Sequence, residues 1–359
     1  MQTETLIIGA GLSGLSLAVR MAEEGRDFLL VEARDRPGGR ILTQRVGKGY
    51  FDVGPAWFWP GQPRIAALIS QLGLTLFEQY SMGALSFEDE NGRVERGRGF
   101  ASMEGSYRLK GGLSALTDAL AAQLPKARVV LSSPVVSLAQ THKGITANTE
   151  SGQEFQAKKV VLALPPRVAS QITYSPSLPR ETLTAMKDVP TWMAGQAKAI
   201  AIYDRPFWRE AGLSGDTMSR RGPMVEIHDA SPDESGPYAL FGFIGIPPHA
   251  RRDQRRLRQA VQDQLTNLFG PNAAKPETLL IKDWAYDRFT STEEDQLPLY
   301  AHPSYGLPQA LTQIWGNRLI FAGTEVASHF GGYIEGALEA AENAFALINA
   351  FALIAEEKV

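Results

Sequence analysis

The sequence predicts an α/β fold of two parts, a nucleotide-binding domain on a mostly parallel sheet and a second domain on a mixed sheet. Three observations support this prediction. The chain has 359 residues, which is more than one hydrophobic core usually serves. Residues 1–40 show a strand, a helix and a second strand around a glycine turn. Farther along, alternating strand patterns such as AKAIAIY and YALFGFIGI lie in stretches rich in aromatic and charged residues.

The composition is that of an ordinary globular protein, with 44% hydrophobic and 21% charged residues. A formal net charge of -3 creates no strong field, so neither nucleic acid nor a membrane surface is an expected partner. The chain has no cysteine and five histidines. Disulfides, thiolate metal sites and thioether links to a cofactor are therefore excluded, and no histidine spacing predicts a metal site.

The two ends of the sequence carry no pattern that predicts export or membrane insertion. A strand-like run at residues 5–8 begins almost at once, without a basic leader or an apolar segment before it. The apolar run at residues 344–355 is 12 residues long, too short to cross a bilayer, so we expect a packed terminal helix. A cytoplasmic location is the resulting expectation.

The glycine turn has the features of a dinucleotide-binding site. Gly9, Gly11 and Gly14 form a GxGxxG pattern between a buried strand and a helix. The first glycine permits the tight turn, the second lets the backbone approach a pyrophosphate, and the third lets the helix pack on the strand. Glu32 closes the next strand, 18 residues after Gly14, where its carboxylate can accept hydrogen bonds from ribose hydroxyls. The pattern predicts a Rossmann-like domain.

The residues after Glu32 distinguish FAD from NAD as the cofactor. Residues 33–40 read ARDRPGGR, so the run from Glu32 is EARxxxGGR. Its paired glycines allow another close backbone approach, and Arg40 can neutralise the pyrophosphate of a cofactor that lies extended over the sheet. An NAD dehydrogenase does not need this second clamp. The run resembles that of the flavin-dependent amine oxidases, which implies FAD as the cofactor.

The resemblance to monoamine and polyamine oxidases continues along the chain. The segments DVGPAW (52–57), PV (134–135), VVLALPP (160–166), FAGTE (321–325) and GYIEGA (332–337) each resemble a segment of that family. The residues that the resemblance implies for FAD binding are Gly9, Gly11, Gly14, Glu32, Arg34, Gly39, Arg40, Gly54, Pro55, Ala56, Trp57, Val135, Gly323, Thr324, Glu325, Gly332 and Ile334.

The resemblance also implies two catalytic residues. Tyr333 matches the family's aromatic-cage residue, which lies against the reacting amine. Lys198, at the head of KAIAIYDRPFW, matches a lysine that holds a water against flavin N5 and assists the reaction with oxygen. A helix beginning near Ile334 would point its N-terminal N–H groups at the edge of the flavin where negative charge collects.

The sequence departs from the monoamine oxidase pattern near residue 300. A cysteine and a tyrosine of those enzymes fall at Leu297 and Pro298 here, so we expect FAD to be bound without a covalent link. Half of the aromatic cage is missing in this alignment, and Tyr300 or Tyr305 is the candidate to supply the second ring.

The predicted substrate pocket is aromatic. Trp57, Phe58 and Trp59 suggest an apolar wall for an aromatic or alkyl amine. Trp284 matches a family tryptophan near the site, and Tyr300 is a further predicted pocket residue. Residues 54–57 read GPAW, where the resemblance to L-amino-acid oxidases would imply a segment like GAMR. The arginine of that segment binds the substrate carboxylate in those enzymes, and this chain has no counterpart of it at this place.

We expect the FAD-binding domain to be discontinuous. It comprises residues 1–76, 106–187 and 292–359, and a mixed-sheet α+β substrate-binding domain comprises residues 77–105 and 188–291. The stretch 77–105 is short where the family has a large helical part. The active site is then either open or covered by a second subunit, and a homo-oligomer stays an open alternative.

The predicted function is the oxidation of a small-molecule amine to an imine. The imine hydrolyses to an aldehyde or ketone and O2 is reduced to H2O2, without a protein nucleophile or a metal, because the cofactor carries the chemistry. Three alternatives stay open: a flavin desaturase acting on CH–CH bonds, a dehydrogenase that passes electrons to a carrier protein, and a flavin-binding protein without catalysis. Lys198 and Tyr333 weigh against the desaturase.

Overall fold

The computed structural model of the chain describes residues 1–232, 236–297, 299 and 301–356, and it describes 351–356 as helix backbone only. The helices are α1 (Leu12–Glu23), α2 (Pro63–Gln71), α3 (Ser114–Ala122), α4 (Pro166–Ala169), α5 (Arg180–Asp188), α6 (Phe207–Glu210), α7 (Gln254–Phe269) and α8 (Ile334–Glu356). Short 3-10 turns lie at Lys126–Arg128, Pro248–Arg251, Pro271–Ala273, Trp284–Tyr286, Glu293–Gln296, Gln309–Leu311 and Thr324–Val326.

The strands form two large sheets and two small ribbons. In chain order they are β1 (Gln2–Ile8), β2 (Phe28–Val31), β3 (Thr43–Val46), β4 (Gly49–Asp52), β5 (Leu76–Glu78), β6 (Ala84–Glu88), β7 (Val94–Arg96), β8 (Tyr107–Leu109), β9 (Val129–Val130), β10 (Val135–Thr141), β11 (Gly144–Thr149), β12 (Glu154–Leu162), β13 (Thr173–Ser175), β14 (Ala197–Tyr203), β15 (Leu213–Ser219), β16 (Met224–Asp229), β17 (Tyr238–Ile244), β18 (Thr278–Asp283) and β19 (Leu319–Phe321). The ribbons pair β3 with β4 and β5 with β8.

The first sheet has a parallel core in the order β9-β2-β1-β12-β19. Numbered among themselves along the chain, these strands have the order 3-2-1-4-5, which is that of a Rossmann domain. The predicted Rossmann-like fold is therefore confirmed. β11 pairs antiparallel with the first half of β12, and β10 pairs antiparallel with β11, so these two strands extend the sheet. The end of β1 is buried at four consecutive positions, as expected for a strand that is covered on both faces.

Helices α1 and α8 cover one face of this sheet. Leu15 and Leu17 of α1 are fully buried and share one core with Leu338, Ala344 and Ile348 of α8. The C-terminal apolar run thus begins as part of a packed helix. Among the residues that the structure describes, no helix has both the length and the apolar character needed to cross a membrane.

The second sheet is mixed, with the order β18-β14-β17-β16-β15-β6-β7. Strand β14, the second from one edge of this sheet, is buried at every position. Ala199 and Ala201 face the core under α7, whereas Ile200 and Ile202 face the opposite way. Because side chains alternate along a strand, Lys198 lies on the same face as these two isoleucines.

Helix α7 packs on the second sheet through one apolar face. Its buried residues at helical spacing include Leu257, Val261, Leu265 and Leu268. The Asp253 carboxylate caps the helix by accepting a hydrogen bond from the Arg256 N–H at 3.0 Å. This helix seals the side of the sheet that faces away from β4.

The two sheets use different stretches of the chain. The first takes its strands from residues 2–31, 129–175 and 319–321, and the second from residues 84–96 and 197–283. All four predicted domain boundaries fall between these stretches, although the one at residues 76 and 77 cuts β5, which pairs with β8 in one of the small ribbons. The domain boundaries themselves stay a prediction.

A hydrophobic cluster packs β4 and the segment that follows it against the second sheet, and we call it the junction cluster. It comprises Phe51, Val53, Ala56, Trp57, Ile200, Ile202, Ala230, Ala239 and Phe241. Phe51 on β4 is fully buried at its centre. The cluster therefore sets the position of the segment that follows β4, residues 53–57, against the second sheet.

Replacing Phe51 with alanine should lower the free energy of unfolding by about 3–5 kcal/mol, the usual range for a buried phenylalanine. The missing ring would leave a cavity in the junction cluster. Denaturant unfolding followed by circular dichroism measures the effect. Phe100→Ala is the control, because Phe100 is 70% exposed and its loss should change the value by less than about 0.5 kcal/mol. Equal effects of the two substitutions would contradict this account of the junction cluster.

Candidate active site

A cavity of about 790 Å³ opens at the carboxyl ends of the parallel strands and continues to the second sheet. Its lining includes Gly9 after β1, Glu32 after β2, Ala163 after β12 and Gly323 after β19. Ligands of doubly wound α/β folds bind at this edge of the sheet. The volume lies in the range of small-molecule and cofactor sites.

Glu32 is buried at the nucleotide end of the cavity and is held by two backbone N–H groups. Ala10 N–H donates to Oε2 at 2.7 Å, and Arg34 N–H donates to Oε1 at 2.9 Å. A carboxylate oxygen can accept more than one hydrogen bond, so Glu32 can still accept bonds from ribose hydroxyls. The Arg34 guanidinium lines the cavity and donates to Asp287 at 2.5 Å.

Arg40 lines the cavity and pairs with Glu325, from the far end of the chain, at 2.6 Å. Glu325 is fully buried, and its Oε2 atom has no hydrogen-bond partner among the described residues. A buried carboxylate oxygen without a donor is costly. Glu325 is not among the residues that line the cavity, so its contribution to the site is to hold the Arg40 guanidinium at the cavity wall.

The glycine turn is tightly packed at one position and open at another. A Cβ atom on Gly14 would lie 1.9 Å from the Gly9 carbonyl oxygen, so no side chain fits there. A Cβ atom on Gly11 would meet nothing within 4 Å, because Gly11 faces the cavity. Since α1 begins at Leu12, the free N–H groups of its first turn and its dipole favour a phosphate beside Gly11.

Lys198 lies in the wall where the two sheets meet. It is 5% exposed, its ammonium donates to the Gly54 carbonyl, and its Nζ lies 5.3 Å from the centroid of the Phe243 ring. Burial lowers the pKa of Lys198 to about 8, although the charge of Asp52 acts in the opposite direction. The ammonium therefore titrates close to neutral pH.

Tyr333 lies just before α8 and packs against another ring. His302 stacks on it with ring centroids 4.8 Å apart and an interplanar angle of 17°, and Trp192 meets His302 edge-on at 4.9 Å. Burial raises the pKa of the Tyr333 hydroxyl, which keeps it neutral. The Thr324 hydroxyl donates to the Tyr333 carbonyl at 2.7 Å and holds the entry into the helix.

Of the two tyrosines considered for the missing cage ring, the structure describes Tyr305, and Tyr305 does not provide that ring. The Tyr305 hydroxyl donates to the Pro190 carbonyl at 2.7 Å, and its ring packs behind Gly331 and Gly332, outside the cavity lining. Tyr300 lies outside the described residues. The ring observed against Tyr333 is that of His302.

Three tryptophans line the half of the cavity next to the second sheet: Trp57, Trp59 and Trp284. The Trp57 indole donates to the Gln79 side chain at 2.7 Å, and the Trp284 indole donates to the Val53 carbonyl at 2.8 Å. These bonds satisfy the indole N–H groups and leave apolar ring surface for the cavity.

Phe58 is not part of this wall, so that expectation is wrong. Its ring is buried in the core of the first sheet, with its centroid 5.9 Å from that of Tyr107. Side chains alternate along an extended segment, and Phe58 therefore points away from the side taken by Trp57 and Trp59.

The cavity gathers most of the residues predicted for the site. Its lining contains Gly9, Gly11, Glu32, Arg34, Gly39, Arg40, Gly54, Pro55, Ala56, Trp57, Trp59, Val135, Lys198, Trp284, Gly323, Thr324, Gly332, Tyr333 and Ile334. Gly14 lies behind the Gly9 turn and Glu325 lies against Arg40. The roles assigned to these residues stay predictions.

Several lining residues carry no functional signal in the sequence. They are Met103, Trp192, Met193, Gln196, Glu226, Phe243 and Phe289. Taken singly, an aromatic residue or a glutamate on a strand looks like an ordinary core or surface residue. Only the packing of distant segments brings these side chains to one cavity.

Comparison with known proteins identifies the family. The model of the family described as flavin containing amine oxidoreductase matches residues 12–99 and 86–349. The chain belongs to this family. It is therefore an amine oxidoreductase, and the resemblance seen in its motifs is confirmed.

The relatives of this amine oxidoreductase match it over almost its whole length. A probable flavin-containing monoamine oxidase A of Dictyostelium discoideum is 24% identical, with 94% of this chain and 95% of the relative covered. An L-amino acid dehydrogenase of Synechocystis sp. is 25% identical, with 95% and 93% covered. These names describe the relatives and do not establish the substrate of this chain.

Solved structures of two oxidases share the fold. An A394C mutant of putrescine oxidase superposes with a TM-score of 0.82 at 21% identity and covers 98% of this chain and 99% of its own. Cyclohexylamine oxidase from Brevibacterium oxydans IH-35A superposes with a TM-score of 0.79 at 21% identity and covers 96% and 98%. These matches support the α/β fold.

FAD is the cofactor of the family, and this amine oxidoreductase has residues that fit it. The open face of Gly11 and the start of α1 suit the pyrophosphate, Glu32 suits the ribose, and Arg40, held by Glu325, adds positive charge for the phosphates. These features lie along one cavity, as an extended dinucleotide requires.

Gly11→Ala and Gly14→Ala should have different effects. In Gly14→Ala the new methyl group collides with backbone, so the flavin-free protein should lose about 1–3 kcal/mol of unfolding free energy or more. In Gly11→Ala the flavin-free protein should unfold as the wild type does, but FAD should bind more weakly because the methyl group enters the cavity. Thermal unfolding of the flavin-free protein and FAD titration separate the two. An unchanged unfolding midpoint in Gly14→Ala would contradict the packing described here.

Proposed function

We propose that this enzyme oxidises an amine at the carbon next to nitrogen, using O2 as electron acceptor and FAD held without a covalent bond. Water hydrolyses the imine product. One primary amine, one O2 and one water then become one carbonyl compound, one ammonia and one H2O2. The observation that carries the proposal is that Lys198 and Tyr333 line the same cavity, close to the start of α8.

FAD supplies the two-electron acceptor for the substrate C–H bond when it is bound. The Tyr333 ring, backed by His302 at 4.8 Å, offers a neutral aromatic face that orients the amine. The apolar rings of Trp57, Trp59 and Trp284 exclude water from the rest of the substrate.

Lys198 acts through its charge. Below about pH 8 its side chain is an ammonium, and a neighbouring positive charge favours the neutral form of the substrate amine. The same charge stabilises the negative charge that forms on O2 as it is reduced. The first turn of α8 adds a fixed positive dipole next to Ile334, which lines the cavity.

The non-covalent attachment of FAD is supported by the residues of the chain. The sequence contains no cysteine, so no thioether to the flavin ring can form. Leu297, which aligns with the family's tethering cysteine, is 74% exposed. Hydrogen bonds and ion pairs along the cavity then hold the cofactor.

A dehydrogenase that uses an electron carrier is the second candidate. The relative named L-amino acid dehydrogenase favours it. Steady-state turnover under air and under argon with an artificial electron acceptor distinguishes the two functions. Faster turnover under argon, with little H2O2 formed under air, would replace O2 as the proposed acceptor.

Anaerobic addition of amines to the purified enzyme tests the proposed function. Aromatic amines, alkylamines, diamines and amino acids are added one at a time while absorbance between 350 and 500 nm, about the range of oxidised flavin, is recorded. At least one class should bleach the flavin, and air should restore the colour with one H2O2 per amine. Acid precipitation should release the flavin from the protein. A flavin that no amine bleaches would rule out amine oxidation.

Lys198→Met should slow the reaction of the reduced enzyme with O2 by about 100- to 1,000-fold, the usual effect of removing one preorganised charge. In the wild type this rate should fall as pH rises through about 8, because Lys198 loses its proton there. Stopped-flow mixing of reduced enzyme with O2 at several pH values measures both effects. Lys158→Met is the control, because Lys158 is a strand lysine that is 68% exposed. A Lys198→Met variant that keeps the wild-type pH profile would exclude this role for Lys198.

A further inference from the structure

Glu226 presents a carboxylate to the substrate half of the cavity. It lies on β16 and its side chain is 22% exposed, into a cavity that it lines. Among the described lining residues the only other carboxylate is Glu32, which belongs to the nucleotide half. The proposed function gives Glu226 no role.

The position of Glu226 relative to Lys198 follows from the register of three strands. Lys198 on β14 pairs with Phe243 on β17, and Phe243 pairs with Glu226 on β16. Residues paired in this way point to the same face of a sheet. Two strand spacings separate Lys198 from Glu226, which is about 10 Å. The two charged groups therefore stand on one wall with the Phe243 ring between them.

Two neighbours hold the Glu226 carboxylate in place. His228 Nε2 lies 3.0 Å from Glu226 Oε1, and the Ser102 hydroxyl donates to the same oxygen. Among the described residues both contacts reach Oε1, so Oε2 is available to a ligand in the cavity.

The group around His228 carries a net negative charge. Its Nδ1 lies 2.7 Å from Asp216 Oδ1, so the imidazole stands between two carboxylates. Burial lowers the pKa of His228, but the bonds to Asp216 and Glu226 outweigh it and raise the pKa. Burial raises the pKa of Glu226, but the bonds from His228 and Ser102 lower it below its usual value. One cation between two anions leaves a negative charge at the cavity wall.

We propose that Glu226 binds the distal ammonium group of a diamine while the other amino group of the same molecule is oxidised near Lys198. The inference rests on the proposed function and names its substrate class. The Lys198 ammonium favours the neutral form of the nearer amine, and the Glu226 carboxylate favours the charged form of the farther one. The methylene chain between them lies along Phe243 and Trp57, which are apolar.

Matched substrates test the inference on the FAD-loaded enzyme. Cadaverine is compared with n-hexylamine, and putrescine with n-pentylamine, because each pair differs in a terminal ammonium against a terminal methyl group. In the wild type, kcat/KM should be about 10- to 100-fold higher for the diamine, the effect of one hydrogen bond to a charged group. In Glu226→Gln this ratio should fall to about one.

Glu104→Gln is the matched control variant. Glu104 is exposed, on the same loop as Ser102, and does not line the cavity. Its loss removes a negative charge of the same size from the neighbourhood, so it shows how much a general change in the electrostatic field contributes. The diamine preference should persist in Glu104→Gln.

The outcomes separate this inference from the proposed function. Bleaching of the flavin by n-hexylamine as readily as by cadaverine in the wild type would overturn the role of Glu226 and leave amine oxidation standing. An unchanged ratio in Glu226→Gln would do the same. A flavin that neither kind of amine bleaches would overturn both. The wild-type comparison decides the question even where Glu226→Gln fails to fold.

Discussion

Two backbone carbonyls, those of Val53 and Gly54, fix the segment that follows β4 against the second-sheet side of the cavity. The Trp284 indole donates to the Val53 carbonyl at 2.8 Å, and the Lys198 ammonium donates to the Gly54 carbonyl. Lys198 lies on β14 of the second sheet and Trp284 directly follows its strand β18, whereas both acceptors lie on the segment that leaves β4. These bonds are buried, where the loss of a partner costs the full desolvation penalty. The junction cluster around Phe51 holds the same segment by packing, so the shape of the cavity depends on this contact.

The buried charges follow from the same architecture. Arg40 and Lys198 place positive charge along the half of the cavity that suits FAD, and Glu325 holds Arg40 in place at 2.6 Å. Glu226, supported by His228, places negative charge on the opposite side of Phe243. A low-dielectric cavity strengthens both fields. This distribution of charge supports the proposal of an electron acceptor in one half and a cationic substrate end in the other.

The parts of the site that the sequence predicted are those whose function depends on local backbone geometry. Gly9 and Gly14 meet at the turn between β1 and α1, so the spacing of neighbouring residues is enough to find them, whereas Tyr333 was found through the family resemblance. Lys198 was found only through the family resemblance, because a lysine on a strand is usually solvated. Phe58 was assigned to the wrong side because its neighbours are aromatic as well, and only packing distinguishes the two directions.

The sequence by itself determined the Rossmann-like domain, the cofactor class and the family, because short motifs of glycine, acid and helix start encode each of them. The tertiary structure alone decided which ring stacks on Tyr333 and which carboxylate lines the cavity beside the second sheet. His302 stacks on Tyr333 from a separate loop, and Glu226 reaches the cavity through the register of β14, β17 and β16. Such contacts depend on how whole helices, strands and loops pack together, so the spacing of residues within one segment does not predict them.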